Sequence, residues 1–440
     1  MRNIMKNKQP VRVGIVGFGT VGSGTARILL ENAGLLEQRL GFPIVLKKIA
    51  DLDIKRDRGF KVPAGVLTTN AADVTDNPDI DIAVELIGGL KMAKSIMLRA
   101  IQNGKSVVTA NKALLAEQGT EIFEAASKKG VSIGFEASVG GGIPIIKALG
   151  EGLVANRINA VYGIVNGTSN YILTKMTDEG RPFQEVLAEA QKLGYAEADP
   201  TLDVGGGDSA HKLTILASIA FGIPLSYPKI HVEGITGITP LDIAYASELG
   251  YKIKLLAIAK SEDGVVELRV HPTMLPKEAL ISRVDGVMNA IYVNAKETGD
   301  TLYYGRGAGD VPTGSAVVSD IAGIARGLVC GASPSPGLIQ PAGRQKARIR
   351  DMGDVRSLYY FRFTALDRPG VLSRISGVLG ENNISIASVI QKGRSKVEAV
   401  PLVILTHMAR EKDVRKALKK IDSLRSVASG SLLIRVEGNE

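Results

Sequence analysis

Residues Val11–Val16, VRVGIV, form a β-branched run of strand length. Gly17-Phe18-Gly19-Thr20-Val21-Gly22 follows without a gap, and then SGTARILLENAGLLEQRL, which reads as one helix. A strand, a GxGxxG turn and a helix in that order constrain the fold more than any other feature of the chain. Gly17 permits the tight turn, Gly19 lets the backbone approach a pyrophosphate, and Gly22 lets helix and strand pack closely. The free N–H groups and positive dipole end of the helix then face the phosphates. The alternative is a glycine-rich turn in some other α/β protein. The context favours a dinucleotide site made by Gly17, Phe18, Gly19, Thr20, Val21 and Gly22.

The next strand, PIVLKKIA, ends at Ala50-Asp51. An acid at that point holds the adenosine ribose hydroxyls and favours NAD. Lys55, Arg56 and Arg58 follow, and they suit either a 2′-phosphate or a solvated loop, so the sequence argues for NAD and NADP alike. Further βα units follow: DIAVELIGG with AKSIMLRAIQNGK, then SVVTANKALLAEQGTEIFEAASKKG, which turns helical at Asn111-Lys112. The expected fold is a doubly wound parallel sheet, with Lys112 at its ligand-binding carboxyl edge.

From Ala190 to Lys212 the chain reads AQKLGYAEADPTLDVGGGDSAHK, immediately before the apolar run LTILASIAF. Glu197, Asp199, Asp203 and Asp208 are crowded there with Gly205-Gly206-Gly207. Asp208 and Lys212 are four apart at the start of a helix and share one face, with the acid N-terminal to the base. Alone, such a pair is an exposed helix-stabilising ion pair. The crowding of acids and glycines before it points to a functional site.

Two further turns lie outside these stretches, the first of them glycine-rich. In VSIGFEASVGGGIPIIKAL, Glu136 precedes Gly140-Gly141-Gly142, and one carboxylate with several carbonyls suits a hard cation. The competing reading is that Glu136 caps neighbouring amides. In INAVYGIVNGTSNYILTKM, capping by Thr168 or Ser169 suffices to explain the polar residues. KIHVEGI, KIKLLAIAKSEDG and GVVELRVHP read as strands of a mixed sheet suited to dimerisation.

The chain of 440 residues is long enough for two or three domains. After the Pro- and Arg-rich stretch 331–356, the order from LYYFRFTAL to VASGSLLIRVE is βαββαβ, a ferredoxin-like module. Residues 341–440 carry 19 Lys/Arg against 10 Asp/Glu, which accounts for the whole net charge of +9. The aromatics there, Tyr359, Tyr360, Phe361 and Phe363, read as strand core, so no nucleic-acid partner is expected. The sequence has no run of 18 apolar residues, and no membrane span is expected. Cys330 is alone, which excludes an intramolecular disulfide and suits a cytoplasmic setting; its neighbours IAGIARGLVCGAS suggest a buried or half-buried small hydrophobe. Four histidines and one cysteine do not build a zinc site.

Ala190, Gly194-Tyr195, Asp199-Pro200, Asp203, Gly206, Asp208 and Lys212 resemble, at every fixed position, the signature of homoserine dehydrogenases. TANKALLA and NGTSNYIL are similar to segments of that family near the nicotinamide and substrate. Asp367-x-Pro369-Gly370-Val371-Leu372 with Asn382-Asn383-Ile384 resembles an ACT domain, a module that commonly binds amino acids. The resemblance implies NAD(P)-dependent interconversion of L-aspartate 4-semialdehyde and L-homoserine. It implies Lys212 as proton donor, with Lys112 second or sharing the role, Asp208 orienting Lys212 and bonding substrate, and Glu197 holding the substrate ammonium. It further implies cofactor contacts at Ala50, Asp51, Lys112, Gly194 and Gly309, and a sodium-type site from Glu136 and the carbonyls of Val139, Gly141 and Ile143. Threonine is the implied effector, and a homodimer or homotetramer the implied assembly.

The expected architecture is therefore α/β. A Rossmann-type domain spans 1–135, with 301–330 returning to it. A mixed-sheet α+β substrate and dimerisation domain spans 136–300, a linker 331–356, and an ACT domain 357–440. Two other readings stand beside it. A related semialdehyde oxidoreductase of the phosphorylating kind needs a placed nucleophilic cysteine, which Cys330 does not offer. A catalytically dead, amino-acid-binding regulatory protein is opposed by the intact Asp208/Lys212 pair and GxGxxG.

Overall fold

In the computed structural model, residues 9–332, 348–392 and 399–438 are described. Most of the expected linker, 333–347, and the basic segment 1–8 lie outside them. The described residues fall into two compact units. One takes those within Met1–Val165, Ala210–Lys229 and Met288–Ala347; the other takes those within Asn166–Ser209, Ile230–Val287 and Arg348–Glu440.

The first unit is built on a six-stranded parallel sheet. Its spatial order is Leu67–Thr68, Ile44–Ala50, Val11–Val16, Ile82–Glu85, Ser106–Thr109, Ile133–Gly134. The sheet order reverses beside Val11–Val16, the point where doubly wound folds bind nucleotides. Val13, Ile15, Ile49, Ile82 and Val108 are buried in the core, as strands covered on both faces require. The helix expected after the glycine turn is two helices, Thr20–Glu31 and Ala33–Leu40. Asn32, at φ −101° and ψ 16°, separates them.

The helix Asp310–Cys330 is long and apolar enough to cross a membrane by length and composition alone. Its packing says otherwise. Built side chains at Gly24 and Gly314 would come within 2.1 Å and 2.7 Å of the backbone opposite, so the helix lies tightly against Thr20–Glu31. Its buried Asp320 accepts the Glu136 amide at 2.7 Å and pairs with Lys147 at 3.1 Å. Cys330 is exposed, not buried, because it is the last helical residue before the left-handed Gly331. The same unit holds an antiparallel ribbon of Ile158–Ile164, Met288–Ala295 and Gly299–Arg306.

The second unit contains a mixed sheet. Tyr251–Glu262 and Val265–Pro276 form a long antiparallel hairpin. Val427–Val436 pairs parallel to Val265–Pro276 and antiparallel to Arg356–Leu366, and Ala399–Thr406 and Ile386–Gln391 follow outward. With the helices Val371–Glu381 and Glu411–Asp422, these last four strands give the βαββαβ module. Its core is Tyr359, Phe361, Phe363, Ile375, Leu379, Ile404 and Val414. Of KIHVEGI only His231–Val232 is strand, and it pairs parallel to Val265–Pro276.

Candidate active site

The glycine turn of the first unit has the geometry a pyrophosphate cradle needs. Gly17 has φ +108°, and a side chain there would meet the Leu86 backbone at 2.5 Å. A side chain at Gly22 would strike the Gly17 carbonyl at 2.1 Å, whereas Gly19 opens onto free space. Gly19 is also the N-cap of Thr20–Glu31 and supplies no side chain to satisfy the first amides. That leaves the helix N-terminus to an anion. Val21 is half-buried, and Gly19 and Thr20 are exposed. These residues fit a dinucleotide.

Ala50 accepts the Gly17 amide at 2.8 Å, and Asp51 accepts the Phe18 amide at 2.5 Å and the Asp53 amide at 2.8 Å. Asp51 is thereby fixed at the end of its strand. Arg58 stacks over the Phe18 ring at 5.1 Å, so one of the three basic residues left open by the sequence stands beside the glycine turn. Gly309, at φ +125°, is the N-cap of Asp310–Cys330.

Glu85 was not singled out from the sequence. It ends the strand Ile82–Glu85 almost wholly buried. Its carboxylate accepts Ile87 N–H at 2.9 Å, Gly88 N–H at 3.1 Å and the Thr109 hydroxyl at 2.7 Å. Burial pushes its pKa up against those hydrogen bonds. Asn111 ties the same loop by donating to the Gly89 carbonyl at 2.7 Å, and it caps the helix Lys112–Lys129 by accepting from Leu114 at 3.1 Å. Lys112 thus begins a helix whose entry is held by two polar side chains. The one signal for Glu85 was an acid closing an apolar strand, VELIGG.

Lys212 is 8% exposed and donates its ammonium to the Val165 carbonyl at 2.6 Å. Its neighbour His211 meets Glu117 at 3.0 Å and lies against the Tyr227 ring. Lys112, Lys212, Gly309 and the nucleotide loop belong to the first unit. Gly194, Glu197 and Asp208 belong to the second.

In the second unit, polar side chains knit the acidic stretch to the helix Gly167–Glu179. Asn166 caps that helix by accepting from Ser169 N–H at 2.8 Å. Its amide group donates to Asp203 at 2.7 Å and to Asp208 at 2.9 Å. The expected cap, Thr168 or Ser169, is therefore corrected: the residue before the helix, in extended backbone, has the capping geometry. Both hydroxyls serve the loop instead, Thr168 donating to the Tyr195 carbonyl at 2.6 Å and Ser169 to the Asp203 carbonyl at 3.0 Å. Asp208 is 3% exposed, whereas Glu197 is exposed on the same stretch, its carbonyl held by Gln191 at 3.1 Å. Asp199 forms a turn with Thr201, accepting its amide and hydroxyl, which lowers the carboxyl pKa. Gly194 has φ +76° and closes the helix Phe183–Lys192.

The loop after Phe135 was a candidate cation site. Glu136 is 1% exposed, and its two oxygens accept Ile146 N–H at 2.8 Å and Lys147 N–H at 3.0 Å. This is the capping role weighed against a cation. Burial nevertheless pushes its pKa up to about 7. Gly140 and Gly141 are left-handed, and the Ile143 carbonyl already accepts Ile145 N–H at 2.8 Å. Val139 is buried beside them. Among the described residues, no three His, Cys, Asp or Glu side chains converge as a metal cluster.

Family models match along most of the chain: "Homoserine dehydrogenase, NAD binding domain" at residues 17–136, "Homoserine dehydrogenase" at 144–322 and "ACT domain" at 359–426. A homoserine dehydrogenase of Neisseria gonorrhoeae is 47% identical over 98% of this chain and 99% of its own length. One of Pseudomonas aeruginosa is 48% identical over 98% and 99%. The crystal structure of a homoserine dehydrogenase from Thiobacillus denitrificans superposes with a TM-score of 0.91 at 49% identity, covering 98% of each chain. A hyperthermophilic archaeal homoserine dehydrogenase solved in complex with NADPH has a TM-score of 0.60 at 26% identity, over 72% of this chain and 98% of that one.

Proposed function

The chain belongs to the homoserine dehydrogenase family, and from that premise we propose how its residues carry the reaction. It is an NAD(P)-dependent oxidoreductase that interconverts L-aspartate 4-semialdehyde and L-homoserine, and it carries an ACT domain. The bound nicotinamide supplies the hydride to the aldehyde carbon, or accepts it from the alcohol. In reduction, negative charge develops on the carbonyl oxygen, so a cationic proton donor aimed at that oxygen is what the protein must provide.

Lys212 is that donor. The observation that carries the assignment is its buried ammonium, fixed at 2.6 Å from the Val165 carbonyl with its stem packed away from solvent. In the oxidative direction the same amine takes the hydroxyl proton. Asp208, fixed by Asn166, bonds substrate and orients Lys212; Lys112 shares the donor role; Glu197 takes the substrate ammonium. Gly17 to Gly22, Ala50 and Asp51 would hold the cofactor, and Lys112, Gly194 and Gly309 are the further residues assigned to it. Both nucleotides are accepted: Asp51 suits ribose hydroxyls, and Arg58 stacked on Phe18 suits a 2′-phosphate.

A sodium-type cation would be held by Glu136 and the carbonyls of Val139, Gly141 and Ile143. Its support is a buried carboxylate whose pKa is raised by burial and by the neighbouring Asp320, beside a turn in which Gly140 and Gly141 are left-handed. The enzyme works in the cytoplasm as a homodimer or homotetramer. Its parts are a nucleotide domain over 1–135 with 301–330, a substrate domain over 136–300 and an ACT domain over 357–440, to which threonine binds as inhibitor.

The test is nicotinamide absorbance with homoserine, using NAD and NADP separately, with and without threonine. Turnover with both nucleotides and inhibition by threonine are expected. A folded protein with no turnover on either nucleotide would overturn the reading.

A further inference from the structure

The segment His231–Ile235 lies between the acidic stretch and the ACT module, and it touches both. On one side it supports the backbone just before Asp208. Ile235 N–H donates to the Val204 carbonyl at 2.8 Å. A side chain at Gly234 would come within 2.3 Å of that same carbonyl and 2.7 Å of Gly205 Cα, so the two backbones are in direct contact. Gly206, left-handed at φ +87°, leaves its missing side-chain position 3.0 Å from Val232 and 3.3 Å from the Glu233 carbonyl. Residues 204–207 join Asp203 and Asp208, the two acids bonded by Asn166.

On the other side the segment is gripped through one side chain. Glu233 accepts two hydrogen bonds from Arg435, at 2.9 and 3.0 Å, one from His231 at 2.8 Å, and one from Arg415. Arg435, on the last strand of the ACT module, is fully buried. It is held in turn by Glu411, at 2.9 and 2.5 Å, and Glu411 also accepts from Tyr359 at 2.9 Å. An arginine forked between two carboxylates has one geometry open to it, so this network fixes where Glu233 stands.

We infer that Glu233 is a positioning residue for the reduction: gripped by Arg435 and Arg415 of the ACT module, it holds the segment on which Val204–Gly206 rests and so sets the place of Asp208. The inference rests on the assignment of Asp208 to the substrate site. It gives the ACT module a direct hold on catalysis: any event in the module that shifts Arg435 moves the support under Asp208. Misplacement of a substrate-orienting group by a fraction of an ångström is costly, since about 1 Å removes about a hundredfold in rate.

The experiment compares three variants of the full chain by kcat, KM for homoserine, nucleotide Kd and Tm. Glu233→Gln keeps the shape and removes the charge that Arg435 grips. Arg362→Met breaks a different ion pair between the ACT module and the rest of the unit, with Asp242 at 2.6 Å, and leaves the Arg435–Glu233 bonds in place. Asp208→Asn tests the site itself. The expected result is a kcat about tenfold lower in Glu233→Gln with nucleotide Kd unchanged, a similar Tm loss but native kcat in Arg362→Met, and a larger kcat loss in Asp208→Asn. If Glu233→Gln does not fold, Glu233→Asp replaces it, keeping the charge but withdrawing it by one methylene, with a kcat loss of about threefold expected. Native kcat in the Glu233 variant while Asp208→Asn is impaired overturns the inference and leaves the site reading intact. An equal kcat loss in Arg362→Met reduces Glu233 to a structural role and also overturns it. Native kcat in Asp208→Asn removes the site reading, and the inference with it.

Discussion

Replacing Lys212 by methionine isolates what its ammonium does. The methionine side chain follows the lysine stem, so the packing around a residue 8% exposed is retained and only the charged end is lost. Two energies then oppose each other in the folded protein. The Val165 carbonyl loses a charge-assisted hydrogen bond of 2.6 Å, worth about 1.5–3 kcal/mol, and the fold is relieved of a buried ammonium whose desolvation costs several kcal/mol. These offset each other in part, but the buried Asp208 loses the ammonium it orients, so Tm is expected to fall while nucleotide affinity stays unchanged. The rate is expected to respond strongly. Loss of a positioned proton donor lowers kcat by about 10²–10⁴-fold, or about 2.7–5.4 kcal/mol at 1.36 kcal/mol per tenfold. The assay is steady-state nicotinamide absorbance in both directions, with nucleotide Kd and Tm measured on the same preparation. A kcat within tenfold of the native enzyme in folded protein would refute the assignment. Lys112→Met and the double variant complete the cycle: if the two lysines share one proton, the double variant is hardly worse than the poorer single variant.

Glu197→Gln is expected to raise KM for homoserine about tenfold or more and leave kcat within a few-fold, because an exposed carboxylate that pairs with the substrate ammonium acts on binding; an unchanged KM removes it from that role. Arg58→Ala is expected to raise KM for NADP and leave that for NAD unchanged, as measured by parallel titration; equal effects on both would mean that Arg58 only supports the Phe18 ring. Acid should loosen the second unit. For Glu233, Glu411 and Glu437, burial alone would raise the pKa, but hydrogen bonds and charge from arginine, lysine and histidine outweigh it and leave all three below the unfolded value of 4.5. A carboxylate depressed in the fold lends stability that is complete above its unfolded pKa and is lost as pH falls through the native one. Tm should therefore drop below about pH 4.5, and less steeply in Glu411→Gln; the same slope in both proteins would show that the drop comes from elsewhere.

The nucleotide half was legible because its signals are local. A strand, three glycines and a helix lie within about twenty residues, and each glycine answers to a contact a few residues away in the fold, such as Gly22 against the Gly17 carbonyl. The acidic stretch was legible as a cluster, but not which acid does what. Asp199 turns out to cap its own turn through Thr201, and Asp203 and Asp208 are sorted by an asparagine 37 and 42 residues before them. That sorting needs the third dimension: Asn166 caps a helix with one end of its amide and bonds two acids with the other. Glu85 escaped for the opposite reason. It carries no motif, and only the convergence of two amides and a hydroxyl on a buried carboxylate shows that it shapes the loop beside Lys112.

The basic excess of residues 341–440 had no explanation in the sequence, and part of it is spent in pairing at long range. Arg362 bonds Asp242, 120 residues away; Lys392 bonds Glu248, 144 away; Arg435 bonds Glu233, 202 away. Each joins the ACT module to an acid elsewhere in the same unit. A fully buried arginine cannot meet a polyanion or a membrane, so Arg435 contributes nothing to a surface field. Lys392–Glu248 is an exposed pair, but the pairs of Arg362 and Arg435 are largely buried: they add little stability over apolar packing, yet removing one partner leaves a buried charge uncompensated at a cost of about 3–5 kcal/mol. They therefore penalise every wrong seating of the module more than they reward the right one. A strand pairing limited to Thr273–Arg435 and Met274–Val436 would slip easily by itself, since a shift of two residues preserves its inward and outward faces. With Arg435 forked between Glu233 and Glu411, a slip of two residues would strand three charges at once. The register of the sheet and the grip on Glu233 are consequently one property, and a change that loosens either must loosen both.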